Sequence, residues 1–224
     1  MKTIAFLITM SFAIFNACER PPQGKEIVHN TADQANTDHS KMSHTMESSP
    51  DAASAPYELQ FIDTMIEHHQ GAVDMAQLVE TRAQHAELKT LAKNIISEQQ
   101  KEIAQMREWR AKLFGETAPA VNMDLPGMRD GMKNMDVAKL DLLKANEFDL
   151  EFIRQMIPHH EGAVAMAEDA SPKFLVKPGP EQSTLGTNHI VRAEIKTLCE
   201  AIVKAQTAEI GQMKQWLAEW SNRT

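Results

Sequence analysis

Cysteine is nearly missing from this chain, which has only Cys18 and Cys199 in 224 residues. Two thiols cannot provide a disulfide framework at this length. With no Cys-x-x-Cys spacing, neither a thiolate zinc site nor a thioredoxin-like redox pair is expected. Aromatic residues are scarce at 5%, with one Tyr and three Trp. Positive charge is outnumbered, 23 Lys+Arg against 31 Asp+Glu for a net −8. The phosphate-neutralising surface of a nucleic-acid binder is therefore not expected. The apolar run Ile4 to Phe15 is too short to span a membrane. What stands in excess is methionine, at 14 residues. A hydrophobic content of 42% suffices for the core of one domain of ordinary size.

Residues 1–17 combine Lys2, the short apolar run and the small residue Ala17, the pattern of a secretory signal peptide. Cys18 directly after Ala17 has the form of a bacterial lipoprotein cleavage site, with Phe15 where Leu is usual. It predicts lipidation of Cys18, so that membrane attachment is through a lipid anchor alone. Residues 18–56 are rich in Pro, Ser, Thr, Asn, Ala and Asp without periodic apolar positions, and read as a flexible tether. Within the tether, His39, Met42, His44 and Met46 place two imidazoles and two thioethers in eight residues. Such a segment can wrap a soft metal ion, or its His and Met can simply occur in a polar tail.

The rest is an internal repeat. Phe61 to Ala76, containing Met65-Ile66-Glu67-His68-His69, recurs 91 residues later as Phe152 to Ala167, containing Met156-Ile157-Pro158-His159-His160. Leu88, Leu91, Ile95, Gln99, Glu102, Ile103, Met106 and Trp109 recur 107 residues later as Ile195, Leu198, Ile202, Gln206, Glu209, Ile210, Met213 and Trp216. Apolar residues at three- and four-residue spacing and abundant helix formers predict helices over 57–82, 85–114, 137–170 and 188–221. Pro158 is expected to kink the third. The fold class is all-α: an up-down-up-down four-helix bundle over 57–221, from halves 57–114 and 137–221 joined by a Met-rich linker, 115–136.

At about 100° per residue, Met65, His68, His69, Ala72, Met75 and Ala76 share the inward face of the first helix, as their repeats do in the third. Asp63, Glu67, Gln70, Asp74 and Gln77 fall on the opposite arc and are expected to face solvent. Gly71, Ala72, Gly162 and Ala163 are expected to leave room beside the rings. Four inward imidazoles need partners, because an unsatisfied buried polar group costs about 1–3 kcal/mol. Metal coordination supplies them; so would hydrogen bonds from Gln99, Glu102, Gln206 and Glu209 on the facing helices. Di-iron bundles use Glu-x-x-His, whereas the spacing here is Met65-x-x-His68 and Met156-x-x-His159. A thioether in place of the carboxylate favours Cu(I) or Ag(I) over iron. The candidate metal ligands are Met65, His68, His69, Met75, Met156, His159, His160 and Met166. Accessory candidates are His39, Met42, His44, Met46, Met106, Met123, Met128, Met132, Met135 and Met213. The linker methionines read either as copper-loading thioethers in an exposed segment or as gap fillers at the bundle end. Cys199 replaces Ala92 of the first half and reads as a small buried residue.

These motifs, with Leu125-Pro126-Gly127-Met128 and Glu147-Phe148-Asp149, resemble the ferritin-like bacterial family catalogued as domain of unknown function 305. The resemblance covers about residues 57–221; the connector 171–187 is longer than in the family pattern. It implies an extracytoplasmic helical bundle that binds copper, in some members silver, through Met and His. The expected function is Cu(I) sequestration or transfer, with metal ions and a copper-transfer protein as partners and no catalytic residue assigned. Protonation of His predicts release towards pH about 6.5. The alternatives are a metal-dependent oxidase and a structural or partner-binding bundle with hydrogen-bonded His pairs.

Overall fold

The helix formers and apolar spacing of the repeat give helices where they are expected. The computed structural model describes residues 47–174 and 187–222, all within one compact unit, 38–224. Its regular elements are α1 (Tyr57–Gln77), α2 (Val79–Arg82), α3 (Ala86–Phe114), α4 (Met128–Met132), α5 (Val137–Leu142), α6 (Ala145–Ala170) and α7 (Thr187–Ser221), with short 3-10 turns at Ala52–Ser54 and Ser171–Phe174. Every described element is helical. α1 packs along α3 and α6 along α7, the two most extensive contacts, while α1 also meets α6 and α3 meets α7. Among the described residues, no helix is long and apolar enough to cross a membrane.

The boundaries differ from expectation in several places, beginning with the predicted helix 57–82, which is interrupted at Leu78 between α1 and α2. The predicted helix 137–170 is broken: Leu143 and Lys144 are extended and Ala145 has φ +53°, so α5 and α6 are separate. Neither Gly nor Pro marks that break. α6 continues as helix through Pro158. Residues 47–56, placed in the tether by composition, pack on the linker. Ser49 N–H donates to Val121 O (2.8 Å), Met123 N–H donates to Ser48 Oγ (2.9 Å), and Ala52 is buried.

The repeat also explains how the halves are tied. Glu58 and Asp149 are equivalent at the 91-residue offset, His85 and Arg192 at the 107-residue offset. Each acidic residue, near the start of one helix, pairs with the basic residue near the start of the long helix of the other half. Arg192 pairs with Glu58, and His85 Nδ1 with Asp149 Oδ2 at 2.6 Å. The fully buried Asp149 carboxylate also accepts the backbone N–H groups of Gln84 and His85, and so caps the start of α3 from α6. The His85 ring stacks on Trp220 (3.8 Å, 2° between planes), which stacks on Trp216. Sequence reasoning missed this clasp, although the repeat equivalence with Arg192 was its available signal.

Asp63 and Asp74 correct the solvent-facing assignment. Both are buried, Asp63 beneath the linker at Ala120. Asp63 accepts Arg110 Nε–H (2.6 Å) and Ala120 N–H (2.9 Å), and Asp74 accepts Gln70 Nε2–H (2.8 Å). Cys199 is fully buried, as its alignment with Ala92 predicts, and burial pushes its thiol up to about 12.

Candidate metal centre

The inward-facing repeat positions bring His68 of α1 and His159 of α6 into ring contact, with centroids 3.9 Å apart and planes at 41°. All four histidines of the two pairs are fully buried. Neither ring nitrogen of His159 makes a hydrogen bond of full geometry; its polar contact is a weak one with the His68 backbone. Burial, then the neighbouring rings of His68, His160 and His69, hold its pKa well below 6.5. The ring is therefore neutral at ordinary pH and carries a lone pair without first losing a proton.

His69 and His160 are held differently. Their Nε2 atoms lie 2.7 Å from Glu102 Oε2 and 2.8 Å from Glu209 Oε2. An ionised carboxylate only accepts, so Nε2–H donates in both pairs. The hydrogen-bonding alternative thus accounts for one nitrogen of each outer ring. The Nδ1 atoms of both rings remain buried without a partner, as do the Oε1 atoms of Gln99 and Gln206.

The linker closes over the central pair through glycines. A Cβ on Gly162 would stand 2.5 Å from Gly127 O and 2.8 Å from Gly131 Cα; one on Gly131 would stand 2.8 Å from His68 Nε2. Gly127, at φ +83°, begins α4 in a conformation that glycine adopts freely. The expected room at Gly162 is therefore filled by linker backbone rather than left for a ligand. At Gly71 the neighbour is a side chain. A Cβ there would meet Met135 Cε at 2.7 Å, Met135 Sδ at 3.0 Å and His159 Nε2 at 3.3 Å. One linker thioether and one inner imidazole nitrogen thus converge on the same point.

The eight principal candidates do not form a single set. Met65 and Met166 lie in one buried cluster with Met106, Met123, Met128 and Met132, while Met75, Met156 and Met213 lie in another; Met135 packs against both. Met123, Met128 and Met132 are buried, which corrects their assignment to an exposed segment and supports gap filling. They also line a cavity of about 340 Å³ with Glu47, Glu67 and Ser48. Among the described residues, no three His, Cys, Asp or Glu side chains converge as a metal cage. His39, Met42, His44, Met46 and Cys18 lie outside the described residues.

The family model described as "Domain of unknown function (DUF305)" matches residues 10–110, 58–174 and 181–224. The chain belongs to the DUF305 family. Among solved structures, CopM in its Cu(II)-bound form is 38% identical, with 73% of this chain and 97% of that one covered and a TM-score of 0.56. CopM co-crystallised with silver is 37% identical, covering 73% and 96%, with a TM-score of 0.55. A DUF305 fragment from Deinococcus radiodurans is 27% identical, covering 74% and 97%, also at 0.55. No curated protein sequence matches this chain.

Proposed function

We propose that this DUF305 chain is an exported copper-homeostasis protein that captures Cu(I), and by the same chemistry Ag(I), at the His68/His159 pair. The observation that carries this reading is His159: a neutral, buried imidazole without a well-formed hydrogen bond, against a second imidazole and beside the Met135 thioether. Neutral nitrogen and sulfur donors suit a soft +1 ion, and exchange between thioethers and imidazoles lets it move on. CopM, crystallised with Cu(I), Cu(II) and silver, supports the same class of ligand.

In this reading the four long helices form an up-down-up-down, ferritin-like bundle over 57–221. Residues 1–17 are a signal peptide, lipidated Cys18 anchors the chain outside the cytoplasm, and the segment 18–56 presents His39, Met42, His44 and Met46. Those residues collect ions at lower affinity, and a copper-transfer protein is the recipient. No residue is assigned a catalytic role. Because burial holds His159 neutral well below 6.5, acid release at this ring is displaced below the unperturbed imidazole range.

The test is anaerobic Cu(I) competition against a chromophoric chelator, with zinc as the control ion, on the wild type and a His68→Ala/His159→Ala variant. Tight Cu(I) binding lost in the variant supports capture at the pair. Binding that survives moves the site to the tail and linker methionines. The structural-bundle alternative has its own support in the His69–Glu102 and His160–Glu209 hydrogen bonds; it predicts no binding and no stabilisation by metal.

A further inference from the structure

We propose that Glu102 and Glu209 are positioning residues. Each fixes its histidine as the Nε2–H tautomer, so that the buried Nδ1 lone pairs of His69 and His160 serve as a second pair of ligand nitrogens for a soft monovalent cation. This rests on the copper reading above and adds donors to the same buried region.

The argument starts from what each hydrogen bond leaves over. With Nε2–H committed to a carboxylate at 2.7 or 2.8 Å, a neutral ring has only an acceptor left at Nδ1. Both Nδ1 atoms are buried without a partner. Three residues before each glutamate, on the same helix face, stands Gln99 or Gln206, whose Oε1 is also buried without a partner. Each half therefore contains two unpaired acceptors, an imidazole nitrogen and an amide oxygen. A network built only to satisfy a buried histidine would supply a donor; two acceptors call for a cation. The arrangement occurs twice, at the same repeat offsets, so it is not an accident of one side chain.

The carboxylates hold the rings from outside. Glu102 is 20% exposed and lies in a groove of about 610 Å³ between α3 and α7, alongside Glu98 and Glu194, whereas His69 is fully buried. Glu209 is 22% exposed over a fully buried His160. A carboxylate on the far nitrogen of a ligating imidazole sets ring orientation and raises its basicity, and losing such a group typically costs about 10–100-fold in metal affinity.

The experiment uses the full chain with 15N-labelled histidine, Ag(I) as a diamagnetic probe and Cu(I) competition. In the metal-free wild type, His69 and His160 are expected to show protonated Nε2 and bare Nδ1, and Ag(I) is expected to shift both Nδ1 resonances. Glu102→Ala/Glu209→Ala should lose the fixed tautomer and bind about 10–100-fold more weakly. Glu102→Gln/Glu209→Gln, whose amide oxygens still accept Nε2–H, should recover most of the affinity. Nδ1 resonances unmoved at Ag(I) saturation, or an Ala variant that binds like wild type, would overturn the proposal while leaving capture at His68/His159 standing. A wild type that takes up neither ion overturns both. If the Ala variant does not fold, the wild-type Nδ1 shifts decide alone.

Discussion

Three glycines allow the linker's grip on the histidine pair to be measured by one substitution in three settings. Gly211 lies in α7 with nothing within 4 Å of a built Cβ. Gly211→Ala should therefore show the unopposed helix gain of about 1 kcal/mol. At Gly162 the same methyl would stand 2.5 Å from Gly127 O and 2.8 Å from Gly131 Cα, both backbone atoms. α4 must retreat by about 1 Å to restore ordinary contact, and overpacking of this kind costs about 1–3 kcal/mol. Gly162→Ala should thus be less stable than Gly211→Ala by about 1–3 kcal/mol, since the helix gain is common to both. At Gly71 the obstacle is the flexible end of Met135, which can swing aside. Gly71→Ala should keep wild-type stability or better, yet weaken Cu(I) binding by moving the thioether from His159 Nε2. Urea unfolding and Cu(I) competition on the three variants read both quantities. Equal stability changes at Gly162 and Gly211 would refute the packing of α4 on α6. Unchanged Cu(I) affinity in Gly71→Ala would remove Met135 from the site.

Other outcomes follow from the same contacts. Asp149→Ala strands the N–H groups of Gln84 and His85 and the His85 ring, so it should cost about 3 kcal/mol by chemical denaturation. Glu58→Ala, at the equivalent but partly solvated pair with Arg192, should cost about 1 kcal/mol or less; equal losses would refute the asymmetry of the clasps. His159 is neutral in the folded state, while the unfolded chain takes up a proton below about 6.5. Its contribution is full above that pH and declines as pH falls towards the depressed folded value, by up to about 1.4 kcal/mol per pH unit. A metal-free His159→Asn variant should show a correspondingly shallower loss between pH 7 and 5, and a slope identical to wild type would contradict the neutral buried ring. With Cys18 replaced by Ser, the Cys199 thiol, raised to about 12 and fully buried, should react with a thiol reagent at pH 8 only after unfolding. Rapid labelling of the native chain would show that α7 opens there.

The long helices and their inward faces were legible because a duplicated pattern constrains itself: Met65, His68 and Met75 are buried, and so are Met156, His159 and Met166. Glu102 and Glu209 were legible as ring partners for the same reason. The errors cluster where the linker, present once, covers the repeat. Asp63 looks solvent-facing on a wheel drawn for an isolated helix, but Ala120, 57 residues away along the chain, covers it. Gly71 and Gly162 look like space for a ligand, yet a glycine opposite another backbone serves close approach equally well, and sequence alone does not say which. The break before Ala145 lacks Gly or Pro, and the His85–Asp149 clasp joins residues 64 positions apart.

The unrepeated linker also makes the site asymmetric. The repeat supplies imidazoles in matched pairs, and matched carboxylates hold the outer two. The inner two meet different neighbours: His68 Nε2 abuts the backbone of Gly131, whereas His159 Nε2 shares its surroundings with the thioether of Met135. A symmetric pair of nitrogens alone would offer an ion two equal donors. In the proposed reading, sulfur on one side gives it a third, softer donor from Met135, in the connection between α4 and α5. An ion bound as proposed would therefore meet unequal donors, nitrogens from the repeat and one sulfur from the unrepeated linker.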